Sequence, residues 1–369
     1  MKKWISLILA LILACSLIPA VGADAPSQVT IGTLALLNTD EVNVVNYYKA
    51  QMLANMYFVK TGLVKLDVPA GEIPEEAEAP EIVVRFYDNL DSMLMGLQAG
   101  DIDMMCIYET TADYICANND QVEKMPENPD YVKMDDTENP GEFTFTGILL
   151  KGIMSNDFAF MMMENNTALR DEFNQAIRDI LADKDGLMAK LVTEQIDGAI
   201  SGAEITPVEM PHFEGAETIK VAVTGCLPPM DYTHPDGSPA GFNTAFLAEI
   251  SKRLQKNIEL QVVSSLGRST ALAGGTVDAV FWTRTGTHSN WVASADEEAK
   301  GARLASILGS FTDEEREFFT KIDGMIDFET IGNQDMPEGT IITDAYFNDS
   351  LTMVMTKEAV EALKASIGG

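Results

Sequence analysis

The sequence predicts an α/β fold with largely parallel sheets. Strand patterns alternate with helical ones in residues 81–108 and again in residues 219–283, which is the order of β-α-β units. Cap and stop residues bracket the helical pieces: Asn89 and Asn243 before them, Gly100 and Gly274-Gly275 after them. No transmembrane-length apolar run follows the N-terminal segment, so the apolar residues are available to a core.

The chain opens with Met1-Lys2-Lys3, an apolar run from Trp4 to Ala14, and small residues ending at Val21-Gly22-Ala23. A basic, an apolar and a small-residue region in that order are a secretory signal. Cys15, Ser16 and Pro19 interrupt the run before it reaches the roughly 20 apolar residues of a membrane span. The expectation is a signal peptide over residues 1–23 and an exported, extracellular or periplasmic, mature chain. Ile12-Leu13-Ala14-Cys15 loosely resembles a lipobox; lipidation at Cys15 would instead tether the protein to the outer face of the cytoplasmic membrane.

Along the mature chain, Val29 to Leu36 reads as a strand, and Thr39-Asp40 as the cap of a helix over Glu41 to Lys60. Residues 67–80 are rich in Pro and Glu and read as a solvated loop. Glu81 to Tyr87 is a strand. Leu90, Met93, Leu94 and Leu97 have helical spacing behind Asn89, and Ile102 to Tyr108 is the returning strand. Thr111 to Asn118 reads as a helix and residues 120–142 as a surface connection. Phe143 to Leu150 and Phe158 to Met163 are strand-like. Asn166-Thr167 is expected to cap an amphipathic helix over Ala168 to Asp183, followed by a second helical piece to Ile196 and a Gly/Pro/Glu linker over residues 197–217. A second unit then begins: strand Ile219 to Val223, turn Pro235-Asp236-Gly237, helix Thr244 to Leu254, strand Ile258 to Val263, a short helix, and strand Val277 to Thr283. A helix is expected at Thr312 to Lys321.

Composition narrows the chemistry. With 57 acidic against 25 basic residues the formal charge is −32, and −34 once Lys2 and Lys3 are removed. Such a surface repels phosphates, which argues against nucleic acid and anionic headgroups as partners. His212, His234 and His288 lie far apart without metal-ligand spacing, and no phosphate loop, dinucleotide fingerprint or nucleophile elbow is present. No cofactor, metal or catalytic residue is therefore expected. Of the four cysteines, Cys106, Cys116 and Cys226 remain in the mature chain, and a bond between Cys106 and Cys116 is one pairing they allow.

One segment is more specific. Pro228-Pro229, the acidic-Gly turn Asp236-Gly237, Gly241-Phe242 opening a helix, and Gly275 to Ala279 entering a strand occur in that order. This segment resembles the N-terminal half of the extracellular solute-binding proteins of ABC transporters, polar amino-acid-binding family. Residues 95–103 and 143–196, with Phe173 to Ile177 and Lys184-Asp185-Gly186, resemble that family's later segments, and residues 343–357 its passage into the second lobe. The resemblance implies a two-lobed periplasmic-binding-protein-like fold, each lobe a mainly parallel sheet flanked by helices, joined by a hinge. The family's order is rearranged here. One reading is a circularly permuted bilobal domain, with lobe A over residues 141–336 and lobe B over residues 24–140 completed by 337–369. The other is a tandem of two degenerate units.

The resemblance also implies a site. In the family an aromatic of the first loop, groups at the end of the Gly-x-x-Asp-Ala strand and an arginine hold the solute, and an acid of the second lobe meets its ammonium group. Here those positions fall on Met230 and Tyr232, on Trp282, Thr283, Arg284 and Thr285, and on Tyr108 and Glu109, with Asn38 and Thr39 as donors at a helix start. The family's Thr-x-x-Arg pattern is absent, and Arg284 stands in for its arginine. Asp103 and Asp278 read as structural. The implied function is capture of a small polar solute, an amino acid or related organic acid, by a monomer that delivers it to an ABC permease. The alternatives are an exported dehydratase or hydrolase on the same fold, or a ligand sensor that no longer serves transport.

Overall fold

The computed structural model describes residues 28–35, 81–125, 155–203, 207–234, 236–285 and 337–367. The chain is a two-lobed α/β protein. In one lobe, β1 (Gln28–Leu34) lies parallel to β2 (Glu81–Tyr87) and to β3 (Met104–Tyr108). Helix α1 (Leu90–Ala99) crosses between β2 and β3, and α2 (Glu109–Asn118) follows β3 and leads to β4 (Val122–Lys124). The other lobe repeats the plan. Its β6 (Thr218–Val223) lies parallel to β10 (Asn257–Val262) and to β11 (Ala279–Thr285). The crossover helices are α5 (Phe242–Leu254) and α6 (Arg268–Ala273).

Two long strands tie the lobes. β5 (Ser155–Met163) runs antiparallel to β11 and carries β12 (Thr340–Ile342) on its other edge. β13 (Phe347–Thr356) pairs its first residues, Phe347 to Ser350, with Phe158 to Ser155 of β5. It then pairs Leu351 to Val354 with Tyr108 to Met105 of β3, and its end with β4. The strand orders are β2-β1-β3-β13-β4 and β10-β6-β11-β5-β12, the same arrangement twice. The remaining helices are α3 (Thr167–Leu181), the mixed α and π stretch α4 over residues 184–200, and α7 (Lys357–Ile367). A hairpin of β7 (Cys226–Leu227), β8 (Asp231–Thr233) and β9 (Pro239–Ala240) forms a small separate sheet.

Local chemistry explains these boundaries. Asn89 caps α1 by accepting from the Ser92 N–H at 2.9 Å, and Gly100 ends it at φ 77°, the left-handed region glycine adopts freely. Asp103 and Asp278 are structural and equivalent. Each carboxylate accepts the backbone N–H of a residue in its lobe's first strand, Thr30 at 2.7 Å and Lys220 at 2.8 Å. Each backbone N–H returns a bond to the carbonyl of that same residue, at 2.8 Å in both lobes.

Some expectations need correction. Asn243 does not cap α5; Gly241 does, at φ 103°, where a Cβ would stand 2.6 Å from the Met230 carbonyl oxygen. Asn243 sits inside the first turn, buried, and its Oδ1 accepts from the Tyr346 hydroxyl at 2.8 Å. Asn166 makes no side-chain cap to α3. Cys106, Cys116 and Cys226 are not disulfide-bonded, with Cys106 in strand β3 and Cys116 in helix α2, so the pairing of the first two does not form. The expected helices at Glu41 to Lys60 and Thr312 to Lys321, the strand at Phe143 to Leu150, the loop at residues 67–80 and the signal segment lie outside the described residues.

The core is continuous through both lobes. Tyr346 stacks between Phe160 and Phe246 at centroid distances of 5.0 and 4.6 Å, and Phe173 packs edge-on against Phe160 at 5.3 Å. Each such ring contributes about 1.5–3 kcal/mol by leaving water. Burial also raises the Tyr346 phenol well above its ordinary range, so it stays a neutral donor to Asn243. Among the described residues no helix is long and apolar enough to cross a membrane.

Candidate functional site

The lobes meet where strands end. The carboxyl ends of β1, β3, β6 and β11 converge on one cavity, the place where open α/β sheets bind ligands. Leu34 and Ala35, Tyr108, Thr224, and Phe281 to Thr283 line it from these strand ends, with Asn89 and Leu90 from α1 and Ser265 and Arg268 from α6 and the turn before it. The cavity volume is only about 50 Å³. Small-molecule sites usually hold roughly 300–1,000 Å³. The lobes are therefore closed on one another.

At this cavity, two polar contacts among the described residues cross between the lobes. Tyr108 Oη and Thr283 Oγ1 are hydrogen-bonded at 2.9 Å, and the backbone N–H of Leu266 donates to Asp88 Oδ1 at 3.2 Å. Each joins one lobe to the other. The Tyr108 ring packs edge-on against Phe158 of β5 at 5.0 Å, which fixes its direction.

Arg268 is the cation of this cavity. It is 8 % exposed. Its Nε donates to the Ser265 carbonyl at 3.1 Å and its Nη1 to the Phe281 carbonyl at 2.9 Å. Its guanidinium carbon lies 5.0 Å from the centre of the Trp282 ring, in cation–π range. A guanidinium has five N–H donors, so these two bonds leave capacity for a ligand. Burial lowers the Arg268 pKa from its ordinary value, opposed by Tyr108 and Asp231 nearby.

Asp231 is the buried carboxylate. It accepts the Thr224 N–H at 2.7 Å, the Thr224 hydroxyl at 2.9 Å and the Gly225 N–H at 3.1 Å. Burial raises its pKa against the opposing pull of these bonds and of Arg268. Both oxygens are thereby used to hold the loop after β6. Cys226 beside it has its thiol pKa raised by burial, which disfavours the reactive thiolate.

The sequence-derived site residues divide. Tyr108, Trp282 and Thr283 come together at the cavity. Met230 is fully buried in the core. Tyr232 lines a different cavity, against Tyr114 and His234. Glu109 is exposed and lies 3.6 Å from Lys124. Arg284 and Thr285 continue β11, but their side chains are outside the description, as are Asn38 and Thr39 altogether. The N-terminus of α5 does not offer its N–H groups to a ligand: Phe242 and Asn243 donate to the carbonyls of Pro229 and Met230 at 3.0 and 2.8 Å.

Arg268, Asp231 and Asp88 were not singled out in the sequence. Arg268 had one readable sign: it opens a helix, where the dipole disfavours a cation, so it is placed there for another reason. No cluster of His, Cys, Asp and Glu that would hold a metal occurs among the described residues.

Solved structures with similar arrangement are distant in sequence. The BvgS VFT2 domain of Bordetella pertussis is 9 % identical, with 92 % of this chain and 85 % of that chain covered and a TM-score of 0.34. NikA of Staphylococcus aureus is 12 % identical at a TM-score of 0.33; 76 % of this chain is covered, and this chain spans 58 % of that one. The substrate binding protein of an amino acid ABC transporter is 10 % identical, with 92 % and 91 % covered and a TM-score of 0.30. No curated protein matches the chain. The family match falls on the lobe wall that carries Asp231, Arg268 and Trp282: residues 219–295 match the bacterial extracellular solute-binding proteins, family 3.

Proposed function

We propose that this protein is exported and captures a small polar solute bearing a carboxylate between its lobes, for delivery to an ABC permease. The observation that carries this reading is Arg268, a buried cation with spare N–H donors at the carboxyl ends of the strands. A planar guanidinium suits two-pronged recognition of a carboxylate. Trp282, Thr283 and Tyr108 would flank the solute, and parting of the Tyr108–Thr283 contact would admit it. The family match over residues 219–295 supports a solute-binding role and an extracytoplasmic location.

Binding is favoured over catalysis because Asp231, the buried acid of the cavity, has both oxygens committed to Thr224 and Gly225. General acid–base chemistry needs a group free to exchange a proton with the substrate. The lobes are read as one bilobal unit in permuted order, acting as a monomer. The joint strand β13 supports this over a tandem pair, because it lies in one sheet with β1, on the other side of β3.

The test is calorimetry of the mature chain against amino acids and small organic acids. Saturable binding that Arg268→Met abolishes is the expected result. Intact folding with no response to any carboxylate solute would sink the proposal.

A further inference from the structure

Asn243 carries a donor that the fold leaves unused. It sits in the first turn of α5, is 2 % exposed, and lines the cleft cavity. Its Oδ1 accepts from the Tyr346 hydroxyl at 2.8 Å, and the Tyr346 ring is itself held between Phe160 and Phe246. The core thus fixes one end of the amide. The other end, Nδ2, makes no hydrogen bond among the described residues, and it is not sealed in as the Thr244 hydroxyl beside it is. A carboxamide nitrogen carries two N–H donors, and buried polar groups are nearly always paired, so this one points to an acceptor that the cavity receives.

A second donor opens on the same space. Arg268 uses its Nε on the Ser265 carbonyl and its Nη1 on the Phe281 carbonyl. Its Nη2 makes no hydrogen bond among the described residues and is likewise not sealed in. Arg268 and Asn243 reach one cavity of about 50 Å³ from α6 and α5, so a single small molecule meets both. Both helices belong to one lobe, so the spacing of the two donors does not depend on the lobes' parting.

We propose that the solute is an oxo- or hydroxy-carboxylate, whose carboxylate pairs with Arg268 and whose oxo or hydroxyl oxygen accepts from Asn243 Nδ2. This rests on the reading of Arg268 as the carboxylate anchor. The ammonium group of an α-amino acid has only N–H donors and would meet the amide donor to donor. An unsubstituted acid would leave Nδ2 unpaired in a closed cavity. Tyr346 acts through Asn243 and is a positioning residue.

The experiment is calorimetry of the mature chain with pyruvate and lactate against propionate, 3-hydroxybutyrate against butyrate, and alanine. At least one oxo or hydroxy acid binds about ten-fold more tightly than its parent acid and than alanine. Asn243→Leu, similar in shape, brings that acid and its parent within about two-fold of one another. Tyr346→Phe keeps the ring and its stack, leaves the amide unanchored and narrows the same ratio, so it serves as the test if Asn243→Leu does not fold. A ratio near one in the unaltered protein, or a ratio that neither substitution changes, overturns the inference, as does binding of none of these acids. The reading of Arg268 fails separately, if carboxylates bind and Arg268→Met leaves them bound.

Discussion

Tyr108 and Thr283 join the two lobes through a single hydrogen bond of 2.9 Å at the mouth of the cavity. Tyr108 ends β3 and Thr283 lies near the end of β11, so the contact spans the cleft from strand end to strand end. Tyr108→Phe removes the hydroxyl and keeps the ring on Phe158. A net hydrogen bond is worth about 1 kcal/mol, so the open-to-closed ratio should rise about five-fold. Single-molecule distance measurements between labels on the two lobes would report it. An unchanged distribution would show that closure rests on other contacts.

Arg268 makes a sharper test of the cleft, because lysine and arginine differ there in kind. A lysine keeps the charge but cannot reach the Ser265 and Phe281 carbonyls and a ligand carboxylate with one rigid fork. Arg268→Lys should weaken binding of carboxylate solutes by about ten-fold or more. Calorimetry of the two proteins against the same solute decides it. Equal affinity would remove Arg268 as the anchor.

Asp349 sets a pH dependence. Its carboxylate accepts the N–H and the hydroxyl of Thr110 in the first turn of α2. Burial nonetheless raises its pKa from 3.8 to about 6, with Glu109 adding to the rise. A raised carboxyl pKa means the folded state binds the proton more tightly than the unfolded one. Stability should therefore fall as pH rises from about 4 to 6, by roughly 3 kcal/mol, and level off above that. Asp349→Asn should flatten this slope in urea melts taken across the range. A slope of the same size in the variant would assign it to another group.

The legible parts of the sequence were those where local chemistry acts alone. Asn89 announced the start of α1, and the strand-helix-strand order of residues 81–108 and 219–285 is the order observed. Tyr108, Trp282 and Thr283 were placed at strand ends, and strand ends converge by the geometry of parallel sheets. What stayed hidden depends on tertiary neighbours. Asn243 looks like a cap until the Gly241–Met230 approach and the Tyr346 hydroxyl claim those positions. Tyr232 and Asp231 are adjacent in sequence, but strand alternation sends them to different cavities. Asp88 belongs to the cleft only because the turn before α6 meets it from the other lobe, and Arg268 because α6 lays its guanidinium against the Phe281 carbonyl of β11.

Asp103 and Asp278 offer the last test, of the repeat itself. Each carboxylate accepts a backbone N–H of the first strand in its lobe, at 2.7 and 2.8 Å. Both precede the third strand of their sheet, so each locks the first and third strands in register before pairing begins. Removing either acceptor leaves a strand N–H to find water, at a part-buried site for Thr30 and an exposed one for Lys220. Asp103→Ala and Asp278→Ala should each cost about 1–2 kcal/mol in denaturant unfolding, and asparagine should recover part of that through its carbonyl oxygen. The loss should be the larger at Asp103, whose bond is part-buried where that of Asp278 is exposed. They should also add in the double variant, since the residues share no partner. A large loss at one position beside none at the other would mean that the two lobes use the same motif for different ends.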